Sequence, residues 1–211
     1  MRPANHLVLF VKAPRLGRVK RRLAADIGLV AASAFYRHTV AAVTARLGRD
    51  RRWRCWLAVT PDSAVGAPGL GSPRCPPIPQ GAGDLGRRMA RVLDALPPGP
   101  AVIIGTDVPD IGRGHIARAF RALKAHDWVF GPAADGGYWL VGVRRRRRVG
   151  DLFAGVRWST EFTLADTLAN LGPGRSAALL DTLDDIDDGA AFARWRARRG
   201  CGAPRPTRAA P

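Results

Sequence analysis

Ala101-Val-Ile-Ile-Gly-Thr-Asp107-Val-Pro-Asp110 is the stretch on which the fold turns. Its apolar, β-branched start fits a strand buried on both faces, and Gly105 ends the run. Working outward, the same alternation of short apolar runs and helical patterns recurs. Leu7-Val-Leu-Phe-Val11 and Trp53 to Val59 read as strands, separated by an Ala-rich segment, Leu23 to Leu47, that reads as one long helix or two shorter ones. Residues 60 to 80 carry six prolines and read as a loop. Leu85, Met89, Val92, Leu93 and Leu96 fall on one helix face, with Asp84 placed as an N-cap. Beyond Asp110, Ile116, Phe120 and Leu123 mark a helix. Trp128 to Phe130 and Tyr138 to Val141 are strands around a Gly-rich connection. Leu164, Leu168 and Leu171 mark another helix, Ala177 to Leu180 a short strand, and Phe192 with Trp195 a last helix. Strands alternating with helices define an α/β fold with helices on both faces of a sheet. There is no internal repeat and no domain boundary. The expectation is a single domain over residues 1–199 and a Pro/Ala/Arg-rich, disordered tail over 200–211.

Composition narrows the function classes. The 211 residues carry 34 Lys+Arg against 17 Asp+Glu, a formal net charge of +17. Only Lys12, Lys20 and Lys124 are lysines, and Glu161 is the sole glutamate. Such a charge suits anionic partners: nucleic acid, a membrane surface or a phosphorylated small molecule. A compositional bias toward arginine explains it equally well. An apolar content of 46% excludes a wholly disordered basic chain. No apolar run approaches the roughly 20 residues of a membrane span, and the first residues lack a signal-peptide core. Cys55, Cys75 and Cys201 show no C-x-x-C spacing and read as free thiols of a reduced, cytoplasmic protein.

In sheets of this kind ligands bind beyond the carboxyl ends of the strands, so the residues that follow each strand carry the functional reading. After the first strand, Lys12-Ala-Pro-Arg-Leu-Gly17-Arg-Val-Lys20-Arg-Arg22-Leu leads a basic loop into a helix start, a phosphate-binding combination. It is not a Walker A loop, and a basic surface turn fits it as well. Gln80-Gly-Ala-Gly-Asp84-Leu-Gly86-Arg-Arg88-Met opens the third helix with glycines that permit close approach; an ordinary N-cap with turn glycines reads equally. Asp107 sits at a strand end where a hard cation such as Mg²⁺ could bridge to substrate phosphate, although a helix N-cap before a turn proline is the alternative. Asp135-Gly136-Gly137-Tyr138 is both a hairpin signal and a candidate ligand turn. Asp181-Thr-Leu-Asp184-Asp185-Ile-Asp187-Asp188 packs five acids into eight residues, either as a solvated face balanced by arginines or as a further metal carboxylate.

Taken in order, these blocks resemble one family: the glycosyltransferase-A-like transferases associated with radical-SAM and selenodomain proteins. The pattern F-x-K-x-P-x-x-G-x-V-K-T-R-L is met by Phe10, Lys12, Pro14, Gly17, Val19, Lys20, Arg22 and Leu23. Q-x-x-G-D-L-G-x-R-M is met by Gln80, Gly83, Asp84, Leu85, Gly86, Arg88 and Met89. G-x-D-x-P is met by Gly105, Asp107 and Pro109, and G-P-A-x-D-G-G-Y-x-L-x-G by Gly131 to Ala133, Asp135 to Tyr138, Leu140 and Gly142. Trp158-Ser159-Thr160 and Asp185-Ile186-Asp187 complete the series. Arg21 replaces the pattern's threonine, Asp188-Gly-Ala-Ala-Phe192 replaces a T-P-E-D-L segment, and Arg144 to Arg148, read as a solvated loop, have no counterpart.

The resemblance implies a nucleotide-diphospho-sugar transferase fold, a three-layer α/β/α sandwich around a mixed, mostly parallel sheet. The molybdenum-cofactor and phospholactate guanylyltransferases have related folds. It implies an Mg²⁺- or Mn²⁺-dependent transferase that moves a sugar from a nucleotide-sugar to a small-molecule acceptor. A nucleotidyltransferase joining an NTP to a phosphorylated acid, with pyrophosphate release, is the alternative. The roles implied are nucleotide binding by Lys12, Gly17, Lys20, Arg22, Gln80, Asp84, Gly86 and Arg88, and metal binding by Asp107, Asp185 and Asp187. Gly136, Gly137, Tyr138, Trp158, Ser159 and Thr160 would shape the acceptor side. Asp107, Asp135 and Lys20 would be catalytic, Asp135 as a possible general base. A basic nucleic-acid-binding protein is the alternative of another class, but the chain carries no recognition module or array of stacking aromatics.

Overall fold

The computed structural model describes residues 4–145 and 150–200. The chain runs β1 (His6–Lys12), α1 (Arg21–Ile27), α2 (Leu29–Gly48), β2 (Arg54–Thr60), β3 (Pro77–Pro79), α3 (Leu85–Ala95) and β4 (Ala101–Gly105). It continues through α4 (Arg113–Ala122), β5 (Trp128–Pro132), β6 (Tyr138–Val143), α5 (Thr163–Ala169), β7 (Ala177–Leu179) and α6 (Gly189–Gly200). The strands form one sheet in the order β3-β2-β1-β4-β6-β5-β7. β6 lies antiparallel to β4 and β5, and every other pairing is parallel. The sheet is therefore mixed and mostly parallel, as expected.

β1 and β4 are central because neither face of either strand tolerates water. Leu7, Val8 and Leu9 are buried, as are Ala101 through Ile104. Leu7, Leu9 and Val11 face α2 and α4, packing among Tyr36, Val43, Ile116 and Phe120. Val8 and Ile103 face the opposite layer with Met89, Val92 and Leu93 of α3. The α3 stripe read from the sequence is thus the stripe that packs. Asp84 caps this helix by accepting a hydrogen bond from the Arg87 amide at 2.8 Å.

The segment from Leu23 to Leu47 resolves into two helices because Gly28 takes φ 87° between them, a conformation that only glycine adopts without cost. Three expectations need correction. β3 lies within the segment read as loop: two of its three residues are prolines, which a strand tolerates only at a sheet edge, and β3 is an edge. Cys55 and Cys75 are not free thiols but are joined in a disulfide, their Cα atoms 4.8 Å apart. The loop after β2 folds back to lay β3 beside it, and that return brings the two cysteines together. This removes the cysteine-based argument for a reducing compartment. Cys201 and the tail beyond residue 200 lie outside the described residues, as do Arg146 to Arg148. Arg145, read as part of a solvated loop, instead donates to the carbonyl oxygens of Leu96 and Pro97 at 2.9 and 2.6 Å, satisfying the end of α3. No helix among the described residues is long and apolar enough to cross a membrane.

Candidate active site

Strand order and register place the site. The chain leaves β1 toward β2 on one side and returns to β4 on the other, so the switch point lies between β1 and β4. Lys12 pairs with Thr60 and Phe10 with Gly105, so three strands release their loops at one edge. A cleft of about 530 Å³ opens there, within the size range of small-molecule sites. Lys12, Arg18, Lys20, Arg21, Arg22 and Arg88 line it together with Asp107 and Asp187.

Lys20 is the centre of the arrangement. It precedes α1 in a left-handed conformation (φ 47°, ψ 49°) that costs a non-glycine residue about 1–3 kcal/mol and clusters at functional sites. Its side chain is only 5% exposed, and its ammonium lies 2.9 Å from Asp107 Oδ1 and 2.6 Å from Asp187 Oδ1. Burial alone would pull its pKa down; the two carboxylates outweigh burial and hold it raised. For Asp187, burial pushes upward, but Lys20 keeps the group below the usual carboxylate range. Asp185 is pushed up to about 6, first by burial and then by Asp187 and Asp135, with Lys20 opposing. Asp107, Asp135, Asp185, Asp187 and Lys20 thus share one electrostatic neighbourhood.

The backbone explains how residues so distant in sequence meet. The Ile186 amide donates to the Asp107 carbonyl at 3.2 Å, and the buried Ile186 side chain packs with Leu23, Ala24 and Ala32. The amide of Leu183 donates to the Pro132 carbonyl, so the acidic segment runs across the sheet edge from β5 to β4. Asp107 is not a helix cap, because α4 begins only at Arg113.

The turn at Asp135 to Tyr138, where the sequence reading puts the acceptor, forms a second unit beside this. Asp135 accepts from the Gly137 amide at 2.9 Å in a turn whose Gly136 takes φ 84°. A Cβ at Gly136 would collide with the Glu161 backbone, and the Leu164 amide donates to the Gly136 carbonyl, so residues 159–164 dock on the turn. Ser159 is left-handed at φ 61°. Thr160 Oγ1 donates to the Arg157 carbonyl and supports the start of α5.

Several expected ligand residues also hold the protein together. Gln80 is 2% exposed; its amide donates to the carbonyls of Val11 and Ala58, and its oxygen accepts from Arg88. It braces β1 against β2 and aims Arg88 from within the cleft lining. Gly86 is small because Phe153 and Trp158 pack onto it. Trp158 accordingly packs at the edge of the core, against Tyr138 and Phe153. The Tyr138 ring packs against Phe130 and Trp158, and its phenol is raised by burial. Gly17 is a turn (φ 72°) outside the cleft lining, and Asp84 is the α3 cap. Arg22 stands at the rim, its side chain 76% exposed. Tyr36 was missed. Its hydroxyl accepts from the Lys12 amide and donates to the Lys12 carbonyl, both at 2.9 Å, fixing the first loop. Burial, and then Asp107, raise this phenol. Its place on α2 gives no sequence signal beyond helical periodicity.

The profile of a family described as an uncharacterized protein conserved in bacteria (DUF2064) matches residues 42–160, more than half of the chain. The chain belongs to this family. A search of curated proteins finds no match. Among solved structures, a protein of Desulfovibrio desulfuricans G20 assigned to the nucleotide-diphospho-sugar transferases superposes with a TM-score of 0.84. It is 26% identical, over 94% of this chain and 89% of that one. The 4-diphosphocytidyl-2C-methyl-D-erythritol synthase of Anaerococcus prevotii gives 0.60 at 9% identity, over 94% and 99% of the two chains. Rv0371c of Mycobacterium tuberculosis H37Rv, solved with manganese, gives 0.53 at 13%, over 92% and 98%. This DUF2064 chain has the nucleotide-diphospho-sugar transferase fold.

The carboxylates can be tested as metal ligands on their own chemistry. Among the described residues no group of three or more His, Cys, Asp or Glu is arranged to hold a metal. Mg²⁺, however, takes one or two carboxylates and fills its remaining positions with water and substrate phosphate. Asp107 and Asp187, already facing one cation, fit that requirement.

Proposed function

We propose that this DUF2064 protein is a divalent-metal-dependent glycosyltransferase that uses a nucleotide-sugar and a small-molecule acceptor. The observation that carries the reading is the Lys20 ammonium held between Asp107 and Asp187 at the floor of a cation-lined cleft, at the switch point of the sheet. The cleft's cations complement the phosphates of a bound nucleotide. Lys12, Arg18 and Arg88 bind the phosphates from the walls, and Arg22 from the rim. Lys20 turns from its carboxylates to the diphosphate and stabilises the charge that develops as the sugar bond breaks. Mg²⁺ or Mn²⁺, held by Asp107 and Asp187 with Asp185 adjacent, neutralises the diphosphate when bound. Asp135, exposed beside the turn at Gly136 and Gly137, is placed to position or deprotonate the acceptor hydroxyl, and Ser159 and Thr160 border the same turn. The six ordered motifs support a place among the radical-SAM- and selenodomain-associated transferases.

One observation favours a second reading. Six cations in the cleft exceed what a diphosphate needs and suit a triphosphate, as in a nucleotidyltransferase that releases pyrophosphate. A screen of nucleotide-sugars and NTPs with Mg²⁺ or Mn²⁺ tests both. Thermal stabilisation by a nucleotide-sugar with no pyrophosphate release supports the first reading. Pyrophosphate release from an NTP with a phosphorylated acceptor supports the second. No nucleotide response with either metal contradicts both.

A further inference from the structure

A second cavity, of about 1160 Å³ against about 530 Å³ for the cleft, lies on the α2 face of the sheet, between that helix and the Pro/Gly-rich loop after β2. Ala41, Ala45, Leu57, Ala64 and Leu70 give it an apolar floor and wall. Arg15, Arg37, Arg49 and Arg74 border it, and no aspartate or glutamate lines it. None of these four guanidinium groups is in an ion pair among the described residues.

In a chain this rich in arginine, unpaired guanidinium groups alone carry little weight. The apolar floor beneath them and the order of the outer wall give them meaning. The loop that forms that wall is built rather than loose. Ser72 and Cys75 exchange backbone hydrogen bonds at 3.1 and 2.9 Å, and Cys75 is tied to Cys55 of β2. The α2 face continues past the cavity to Val30, which is 73% exposed. An apolar trough, a cationic rim and an apolar extension along the helix describe the complement of one kind of molecule.

We propose that this cavity binds an elongated apolar molecule with a single phosphate or carboxylate head. The body lies along Ala41, Ala45 and Leu57, and the head is held by Arg37 and its neighbours on the rim. The site is separate from the nucleotide cleft. No residue lines both: the loop from Lys12 to Arg18 turns Ala13 to Arg15 to the cavity and Lys12 and Arg18 to the cleft, and α2 gives Tyr36 to the cleft and Arg37 to the cavity.

Isothermal titration of the full chain with monomeric decyl phosphate tests the proposal, with decanol and inorganic phosphate as separate arms. Saturable one-to-one binding is expected, at least tenfold tighter than either half of the ligand alone. Ala41→Trp, an exposed helix position, should weaken it at least tenfold by filling the trough. Arg37→Glu should do the same by removing the head-group contact. Both variants should keep the melting temperature and the response to nucleotide of the parent chain. Vesicles of phosphatidylcholine containing phosphatidic acid identify the source of the head group. Co-sedimentation that Arg37→Glu abolishes assigns it to a membrane lipid, and decyl phosphate binding without co-sedimentation assigns it to a free amphiphile. Uptake that does not saturate, or binding that survives both substitutions unchanged, would overturn the proposal.

Discussion

The cleft and the larger cavity lie on either side of the loop that leaves β1, and they are built from opposite materials. The cleft is lined by charge of both signs, and its deepest cation is already bound by two aspartates. The larger cavity is lined by apolar side chains and a single sign of charge, its arginines in no ion pair among the described residues. The difference shows that net charge is a poor guide to function in this chain. The arginines that outnumber the acids so heavily are spread over both cavities and over the open surface. What separates the cleft is where the scarce carboxylates fall. Asp107 and Asp187 set two carboxylates around the one lysine buried in that basic surface.

The comparison can be broken first at Lys20. Lys20→Ala should lower turnover about 100-fold or more by removing the charge that meets the developing phosphate anion, and leave decyl phosphate binding intact. Its two carboxylate partners are 45% and 40% exposed, so solvent takes over part of the lost pairing. A fall in stability of about 1–3 kcal/mol by urea denaturation is the expected accompaniment. Gln80→Ala comes next. It strands the carbonyls of Val11 and Ala58 in the interior and frees Arg88, so about 1–3 kcal/mol of stability should go, together with several-fold in nucleotide affinity.

Asp185 gives the pH dependence. Its folded pKa is raised to about 6, so the folded chain binds a proton more readily than the unfolded chain. The resulting stabilisation is present below the unfolded value near 4 and is lost as pH rises through 6. In metal-chelated buffer, Asp185→Asn should flatten the melting profile between pH 4 and 6 and raise stability at pH 7 by about 1 kcal/mol after screening. The smallest effect is at Asp84, the α3 cap. Asp84→Ala should cost about 0.5–2 kcal/mol in chemical denaturation, with nucleotide affinity unchanged. A large loss of affinity there would return Asp84 to the binding site.

The residues show why some of this was legible in sequence and some was not. Asp107 could be placed because a buried strand that stops at a glycine delivers its next side chain to the sheet edge, whatever the rest of the fold does. Lys20 could be named as a phosphate ligand, but its pairing with Asp187 could not, because that contact depends on a chain return across the sheet from β5. Gln80 and Trp158 sit in the blocks that the motifs mark, but the contacts that they make there were not legible. An amide or an indole serves a ligand or the core according to which neighbours meet it, and motif spacing does not record those neighbours. Tyr36 and β3 left no signal, the first because only the reach of α2 brings its hydroxyl to Lys12. The second is a strand of three residues, two of them proline, that pairs only because it lies at an edge.

The central claim is that Asp107 and Asp187 form a metal-dependent nucleotide site. Calorimetric titration of a nucleoside diphosphate in the presence of Mn²⁺, into the parent chain and into Asp107→Ala, tests it most directly. The account predicts metal-dependent binding to the parent and its loss, by about 100-fold, in a variant that stays folded. Equal affinity in the two proteins, or binding indifferent to Mn²⁺, would contradict it.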